Sequence, residues 1–169
     1  IAAHRAVGGT KRGRRFATTQ LNYSYALLLS SQFQGFCRDL HSECADSIAD
    51  KLSPWLKDII SSEFRFGRKL DSGNPNPGNI GSDFNRFGFS FWSTLQARNP
   101  ANSSRKDELE ELCGWRNAIA HNNFDPAKFG ASPQLRLAAV NRWRRVCSEL
   151  AVEFDELMTA RLSQSLGVA

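Results

Sequence analysis

The spacing of apolar residues predicts a long amphipathic helix near the start of the chain. Within residues 21–48 the apolar positions recur at intervals of three, four and eight, which places them on one helix face. Ser53-Pro54 then has the form of an N-cap followed by proline at the first helical position, so we expect a second helix from there to about residue 70. Residues 71–81 contain Asn-Pro-Asn-Pro-Gly, a composition that predicts a loop.

A third helix is predicted over residues 82–98. Phe84, Phe87, Phe91 and Leu95 follow the spacing of one helix face, and Trp92 lies on a different side, together with Phe89. Such side-facing aromatics are typical either of a subunit interface or of second-layer core packing. The pattern therefore predicts a helix with an aromatic core face.

Two further helices are predicted in the last third of the chain. Ser104-Arg105-Lys106-Asp107 resembles a capping box, and the helix that follows should end near Asn122-Asn123, because Asp125-Pro126 does not continue a helix. Ser132-Pro133 repeats the cap and proline signal. The apolar residues from position 135 to 157 then recur every three or four positions, which predicts a long final helix.

No window of the sequence shows the alternation of a strand, so the predicted fold class is all-α: a bundle of four to five helices with long first and last helices. With 169 residues and 41% hydrophobic content, the chain suits one domain, which we place at residues 20–169. Residues 1–19 form a basic, flexible N-terminal arm in this interpretation. The arm holds five basic residues and no acid, whereas the rest of the chain balances 17 basic against 17 acidic residues. A basic arm of this kind is typical either of a nucleic-acid contact or of a solvated tail.

Composition also limits the setting of the protein. No apolar run approaches the length of a membrane span, and the first residues lack the apolar core of a secretory signal. The four cysteines form no Cys-x-x-Cys pair and fall in apolar helical stretches, so we expect free thiols, a cytoplasmic location, and neither a metal site nor a cofactor.

The chemically informative segment is Arg116-Asn117-Ala118-Ile119-Ala120-His121. On a helix Asn117 and His121 point the same way, whereas Arg116 and His121 diverge by about 140°. Histidine moves protons near neutral pH, and arginine offers a charged fork to phosphate oxygens. Because RNA carries its own nucleophile, the 2′-hydroxyl, these residue types suit phosphodiester cleavage without a metal ion.

Arg-Asn-x-x-x-His near the end of a penultimate helix resembles the signature of HEPN domains, which are helical ribonucleases or their inactive relatives. Residues 27–36, Leu-Leu-Leu-Ser-Ser-Gln-Phe-Gln-Gly-Phe, also resemble the first helix of the RiboL-PSP-like branch of that family. The resemblance extends over residues 20–165, but only Arg116, Asn117 and His121 match the family motif.

The resemblance implies a toxin or defence endoribonuclease that acts as a homodimer, with both copies of the motif in one cleft. The products would be a 2′,3′-cyclic phosphate and a 5′-hydroxyl, and an antitoxin or partner domain would accompany a toxin. Arg116 would bind the phosphate, His121 would act as acid or base, and Asn117 would orient His121 or the 2′-hydroxyl. A polar residue of the first helix often joins such sites, and the candidates to bind substrate are Arg38, Asp39, His41 and Glu43.

Other interpretations of the same residues remain. The motif could belong to a non-catalytic module that binds RNA or a protein, or to a purely structural subunit. Arg116 could pair with Glu108 or Glu111, and His41 could be a surface ion-pair member beside Asp39 and Glu43. Four arginines of the last helix could contact RNA or lie on a salt-bridged face: Arg136, Arg142, Arg144 and Arg145.

Overall fold

The computed structural model describes residues 16–166 and Ala6, and 81% of these residues are helical. No strand occurs in this part of the chain. The helices, in chain order, are α1 (Phe16–Ala49), α2 (Pro54–Arg65), α3 (Lys69–Ser72), α4 (Pro77–Phe84), a 3-10 turn (Asn85–Phe87), α5 (Phe91–Arg98), α6 (Ala101–Ala120), α7 (Pro126–Phe129) and α8 (Leu137–Leu166). The predicted all-α class with long first and last helices is confirmed.

The centre of the molecule is formed by α1, α6 and α8, which pack against one another. α2 covers the C-terminal half of α1, where Arg65 donates to both carboxylate oxygens of Asp46 at 2.8 and 2.7 Å. Phe84, Phe91 and Phe154 pack together in the core between α4, α5 and α8, with ring centroids 4.5 to 6.1 Å apart. These rings are fully buried, as the apolar spacing of the sequence requires.

The predicted third helix is interrupted. α4 passes into the 3-10 turn, and Gly88 then adopts φ +83°, a conformation that glycine enters without steric cost. Asn85 Oδ1 accepts from the backbone N–H of Phe91 at 2.9 Å and so holds the start of α5. Trp92 is 8% exposed and donates to the carbonyl of Pro77 at 2.7 Å, which makes it a second-layer core residue.

The predicted loop 71–81 was wrong at both of its ends, because α3 runs to Ser72 and α4 begins at Pro77. Asn76 caps α4: its side chain accepts from the backbone N–H of Asn79 at 2.8 Å. The second helix also ends earlier than predicted, at Arg65, and the chain turns at Gly67, where φ is +63°. Only residues 73–76 therefore connect α3 to α4.

Two helix starts also differ from prediction. α6 begins at Ala101, not at Ser104, because the buried Asn102 donates to the carbonyl of Leu95 at 3.0 Å and joins the first turn to α5. α8 begins at Leu137, not at Ser132-Pro133. The buried amide of Asn22 donates to the carbonyl of Leu135 at 2.9 Å, which keeps that stretch extended along α1.

The predicted basic arm lies mostly outside the described residues, although α1 already includes residues 16–19. All four cysteines are free and buried, and burial raises the pKa of Cys44, Cys113 and Cys147 to about 12. These thiols remain protonated at neutral pH and are unsuited to nucleophilic chemistry. Among the described helices, none is long and apolar enough to cross a membrane.

Candidate functional site

The motif lies at the C-terminal end of α6, where Arg116 is half-buried and Asn117 and His121 are exposed. Ala118, between them, is 5% exposed and fixes this end of the helix to the core. His121 is the C-cap residue, and its backbone N–H donates to the carbonyl of Asn117 at 3.0 Å. All three motif side chains therefore reach the surface from one helix end.

A Schellman motif ends α6 directly after His121. Asn122 adopts φ +46°, its N–H donates to the carbonyl of Ile119 at 3.2 Å, and the N–H of Asn123 donates to that of Ala118 at 2.9 Å. Asparagine tolerates this left-handed conformation better than most residues. The helix end predicted near Asn122-Asn123 is confirmed, and the cap gives the backbone of His121 a defined conformation.

An aromatic cluster holds the chain that follows His121. Trp115 packs edge-on against Phe129 and Phe124, with ring centroids 4.8 and 6.1 Å apart, and Tyr23 of α1 stacks on Phe124 at 5.6 Å. Lys128, on α7, lies across Gly114 of α6, where an added Cβ would stand 2.7 Å from its Nζ. Lys128 thus places a cation beside α6, the helix that carries the motif. It was not among the residues predicted from the sequence.

Asn117 is held from the other side by the connection between α3 and α4. Asn74 Nδ2 donates to Asn117 Oδ1 at 3.0 Å, and Arg116 Nη1 donates to the same oxygen at 3.2 Å. Asn74 is 8% exposed and was not identified from the sequence. Its only sequence signal was the turn composition of Asn-Pro-Asn-Pro-Gly, which does not indicate what the side chain contacts.

Gln34 of α1 anchors the same connection. Its Nε2 donates to the carbonyls of Leu70 and Gly73 at 2.7 Å each. Gly73 lets the connection pack closely against Asn79 and Lys69, because a Cβ there would lie 2.5 Å from Asn79 Nδ2 and 3.1 Å from the carbonyl oxygen of Lys69. The first helix therefore reaches the motif through Gln34, Gly73 and Asn74, and Gln34 was not among the predicted residues.

Among the four first-helix candidates, Arg38 lies on the same side of α1 as Gln34, one turn further along. It is exposed and pairs with Asp71, Nε to Oδ1, at 3.1 Å. Asp39 and Glu43 are also exposed, but helix geometry turns them about 140° and 180° away from Gln34. Of the three exposed candidates, only Arg38 therefore lies on the side of α1 that carries Gln34.

His41 is not a surface ion-pair member, and that prediction was wrong. The residue is 0% exposed, and its ring lies among those of Phe64, Phe84 and Phe87 at centroid distances of 6.3, 5.5 and 5.0 Å. Burial lowers its pKa to about 4, and the positive charge of Arg68 contributes to the same shift. A substrate cannot contact His41 in this conformation.

The structure shows which of the arginines form ion pairs with glutamates. Arg142, not Arg116, pairs with Glu108 and Glu111, at 2.7 Å in both cases. For Arg116 the described residues contain no ion pair, and its guanidinium donates to Asn117. Of the four arginines considered, Arg142 follows the salt-bridged interpretation, and the other three, Arg136, Arg144 and Arg145, are exposed.

The motif residues reach the surface and do not line the apolar groove between α1 and α8. That groove has a volume of about 210 Å³ and is lined by Tyr25, Leu28, Leu29, Gln32, Leu137, Val140, Asn141 and Arg144. Within residues 16–166, no three side chains of His, Cys, Asp or Glu are arranged to hold a metal ion. The motif therefore presents two exposed polar groups and one half-buried cation to a ligand that lies on the surface.

No protein-family model matches this sequence, and searches of curated proteins and of solved structures found no similar protein. A fixed cation, a polar amide and a surface imidazole on one helix end suit recognition of an anion together with transfer of a proton.

Proposed function

We propose that this protein is an endoribonuclease of toxin or defence type that needs no metal ion, as its resemblance to HEPN domains implies. The observation that carries the proposal is the placement of Arg116, Asn117 and His121 at one exposed, rigidly capped helix end. A site at an exposed helix end suits a polymer better than a small molecule, which enzymes usually enclose in a pocket.

In this proposal the 2′-hydroxyl of RNA attacks the adjacent phosphorus and displaces the 5′-oxygen. A 2′,3′-cyclic phosphate and a 5′-hydroxyl result. His121 takes the proton of the attacking hydroxyl or supplies one to the leaving oxygen, and Arg116 stabilises the negative charge on the phosphate oxygens. Arg38 and Lys128 are further cations that favour an RNA backbone near this end of the molecule.

A second copy of the chain completes the proposed site. Arg116 and His121 diverge by about 140° on one helix, so a single copy presents them to different sides of a phosphate. Two copies related by a two-fold axis bring the arginine of one copy and the histidine of the other to a shared cleft. The proposal therefore includes a homodimer with the motif at its interface, and an antitoxin or partner domain that covers it.

The test is cleavage of structured and single-stranded RNA in the presence of EDTA, with product ends identified by mass spectrometry. We expect cyclic-phosphate products from the wild type and a loss of at least about 100-fold in His121→Ala and Arg116→Ala, the usual scale for acid–base and charge-stabilising groups. Arg98→Ala is the matched control, since Arg98 is an exposed arginine that precedes the opposite end of α6.

Several outcomes would reject the proposal. Activity that persists in both motif variants, or a folded wild type that cleaves none of these RNAs, contradicts the enzyme assignment. RNA binding that depends on Arg116 without any cyclic-phosphate product indicates a non-catalytic binding module instead. Mixing His121→Ala with Arg116→Ala tests the shared cleft, because a mixed dimer retains one intact pair and should regain activity.

A further inference from the structure

We propose that Asn74 is a positioning residue that holds Asn117 with its amide nitrogen toward the substrate, so that Asn117 acts as a hydrogen-bond donor. The bonds that orient the two amides lie within the protein. Identification of the acceptor as a phosphate oxygen rests on the proposed function. This role differs from the one expected from the family resemblance, in which Asn117 orients His121 or the 2′-hydroxyl.

The orientation of Asn117 follows from its contact with Arg116. A guanidinium group donates hydrogen bonds and accepts none, so the Asn117 atom that lies 3.2 Å from Arg116 Nη1 is the oxygen Oδ1. Asn74 Nδ2 donates to the same oxygen at 3.0 Å. With two donors, the two lone pairs of Oδ1 are already used.

The orientation of Asn74 is fixed independently, by α4. The backbone N–H of Asn76 and its Nδ2 both donate to Asn74 Oδ1, at 3.3 and 2.8 Å. Asn76 is oriented in turn, because its own Oδ1 accepts from the backbone N–H of Asn79 at 2.8 Å. We call Asn76, Asn74 and Asn117 the asparagine chain: Asn76 donates to Asn74, and Asn74 donates to Asn117. This direction is fixed at one end by the backbone N–H of Asn79 and at the other by the guanidinium of Arg116, because both groups only donate.

Burial keeps this chain from reversing. Asn74 is 8% exposed, and its backbone carbonyl accepts from Asn79 Nδ2 at 2.8 Å, so both its side chain and its main chain are held. Turning the Asn74 amide would place oxygen against oxygen at Asn117 and would leave buried polar atoms unpaired. Asn117 in contrast is exposed, and its Nδ2 has no acceptor within the described residues.

The motif residues therefore have two separate roles, anion binding and proton transfer. Asn117 Nδ2 and Arg116 both present donors, so together they select a group with several acceptor oxygens and negative charge, such as a phosphodiester. Asn117 Oδ1 is occupied and does not accept a proton or a hydrogen bond from the 2′-hydroxyl. Proton transfer is left to His121.

Two substitutions test the inference. In Asn117→Asp the carboxylate still accepts from Asn74 and Arg116, which preserves the internal bonds, but it has no outward donor. In Asn74→Asp a carboxylate oxygen replaces the donor and repels Asn117 Oδ1, so only the bond from Arg116 still holds the Asn117 amide nitrogen outward. Asn123→Asp is the matched control, because it adds the same charge to an exposed asparagine just beyond the motif.

The binding probe is a 2′-O-methyl RNA, which cannot be cleaved. We expect both test variants to bind it about tenfold or more weakly than the wild type, the usual effect of losing a hydrogen bond to a charged group. Thermal unfolding of Asn117→Asp should stay close to that of the wild type, because the position is exposed and its bonds from Asn74 and Arg116 are kept. Asn123→Asp should bind nearly as the wild type does. Equal binding by Asn117→Asp and the wild type would overturn the donor role.

A second measurement does not depend on RNA. In ¹⁵N-labelled protein the side-chain amide of Asn74 should exchange its protons slowly with water, and that of Asn117 should exchange fast. The two signals are assigned by their absence from Asn74→Asp and Asn117→Asp. Slow exchange at Asn117 overturns the inference, whereas the predicted exchange in a protein that neither binds nor cleaves RNA overturns only the proposed function.

Discussion

His41 makes the stability of this protein depend on pH, although the residue lies outside the candidate site. Its imidazole is 0% exposed, and neither ring nitrogen has a hydrogen-bond partner in the described part of the chain. Burial is the main reason that its pKa falls from 6.5 to about 4, the charges of Arg68 and Arg86 act in the same direction, and Asp83 opposes the shift. The folded protein therefore resists protonation of a group that the unfolded chain protonates readily.

The sign and size of the effect follow from this difference. Above pH 6.5 the ring is neutral in both states and contributes no pH dependence. As the pH falls toward 4, only the unfolded state binds the proton, so the free energy of unfolding decreases by about 1.4 kcal/mol per pH unit. The pKa difference between 6.5 and about 4 corresponds to a total loss of roughly 3 kcal/mol. Below pH 4 both states bind the proton and the loss levels off.

Urea unfolding of the wild type and of His41→Leu between pH 7.5 and 4 measures this effect. Leucine is apolar and of similar size, so at pH 7.5 the variant should be at least as stable as the wild type, by up to about 2 kcal/mol, because two unpaired buried nitrogens are removed. Carboxylates that do not interact with His41, such as Asp46, titrate in both proteins and cancel in the difference.

The difference in unfolding free energy between the two proteins should therefore widen in favour of the variant as the pH falls from 6.5 to about 4. Parallel pH profiles would refute the argument, because they would mean that His41 is protonated equally in the folded and unfolded states.

Two further predictions concern matched pairs of residues. Gly73→Ala should cost about 1–3 kcal/mol of unfolding free energy and weaken RNA cleavage, because its Cβ would meet Asn79 Nδ2 at 2.5 Å. Gly35→Ala is the control and should be neutral or stabilising, because a Cβ there meets nothing within 4 Å. Urea unfolding and the cleavage assay measure both variants. Ile80→Ala, at a position that is 0% exposed, should lower the free energy of unfolding by about 2–5 kcal/mol. Ile59→Ala, at 47% exposure, should lower it by less than about 1 kcal/mol in the same urea experiment. Equal losses of unfolding free energy would contradict the assigned burial.

The sequence was sufficient for the long helices because their apolar spacing is local. The same spacing contained the evidence about His41, since Cys37, His41 and Cys44 follow the i, i+4, i+7 rule of one helix face and all three are buried. The charged neighbours Asp39 and Glu43 suggested a surface position instead. On a helix, however, residues two positions apart point to different sides. Periodicity was the better guide to burial than the nearest charges.

The contacts of the candidate site were not accessible in the same way. Asn74 and Asn117 are 43 positions apart, and their hydrogen bond exists because the connection between α3 and α4 packs beside the end of α6. The turn composition around Asn74 predicts irregular backbone but not the direction in which a buried amide points. Such a direction depends on the other donors present in the folded state, here Arg116 and the backbone N–H of Asn76.

The two halves of the motif are therefore held by different means. Asn117 is oriented by Asn74 of the connection between α3 and α4, which Gln34 fixes to α1, and Arg116 donates to the same Asn117 oxygen. His121 is positioned by the backbone of the helix cap, and its exposed ring keeps its rotational freedom. Recognition of an anion can thus be rigid in one copy of the chain, while the imidazole adjusts to the position of the scissile bond. This arrangement suits a site in which the histidine of one copy meets a phosphate that the arginine of the other copy already holds.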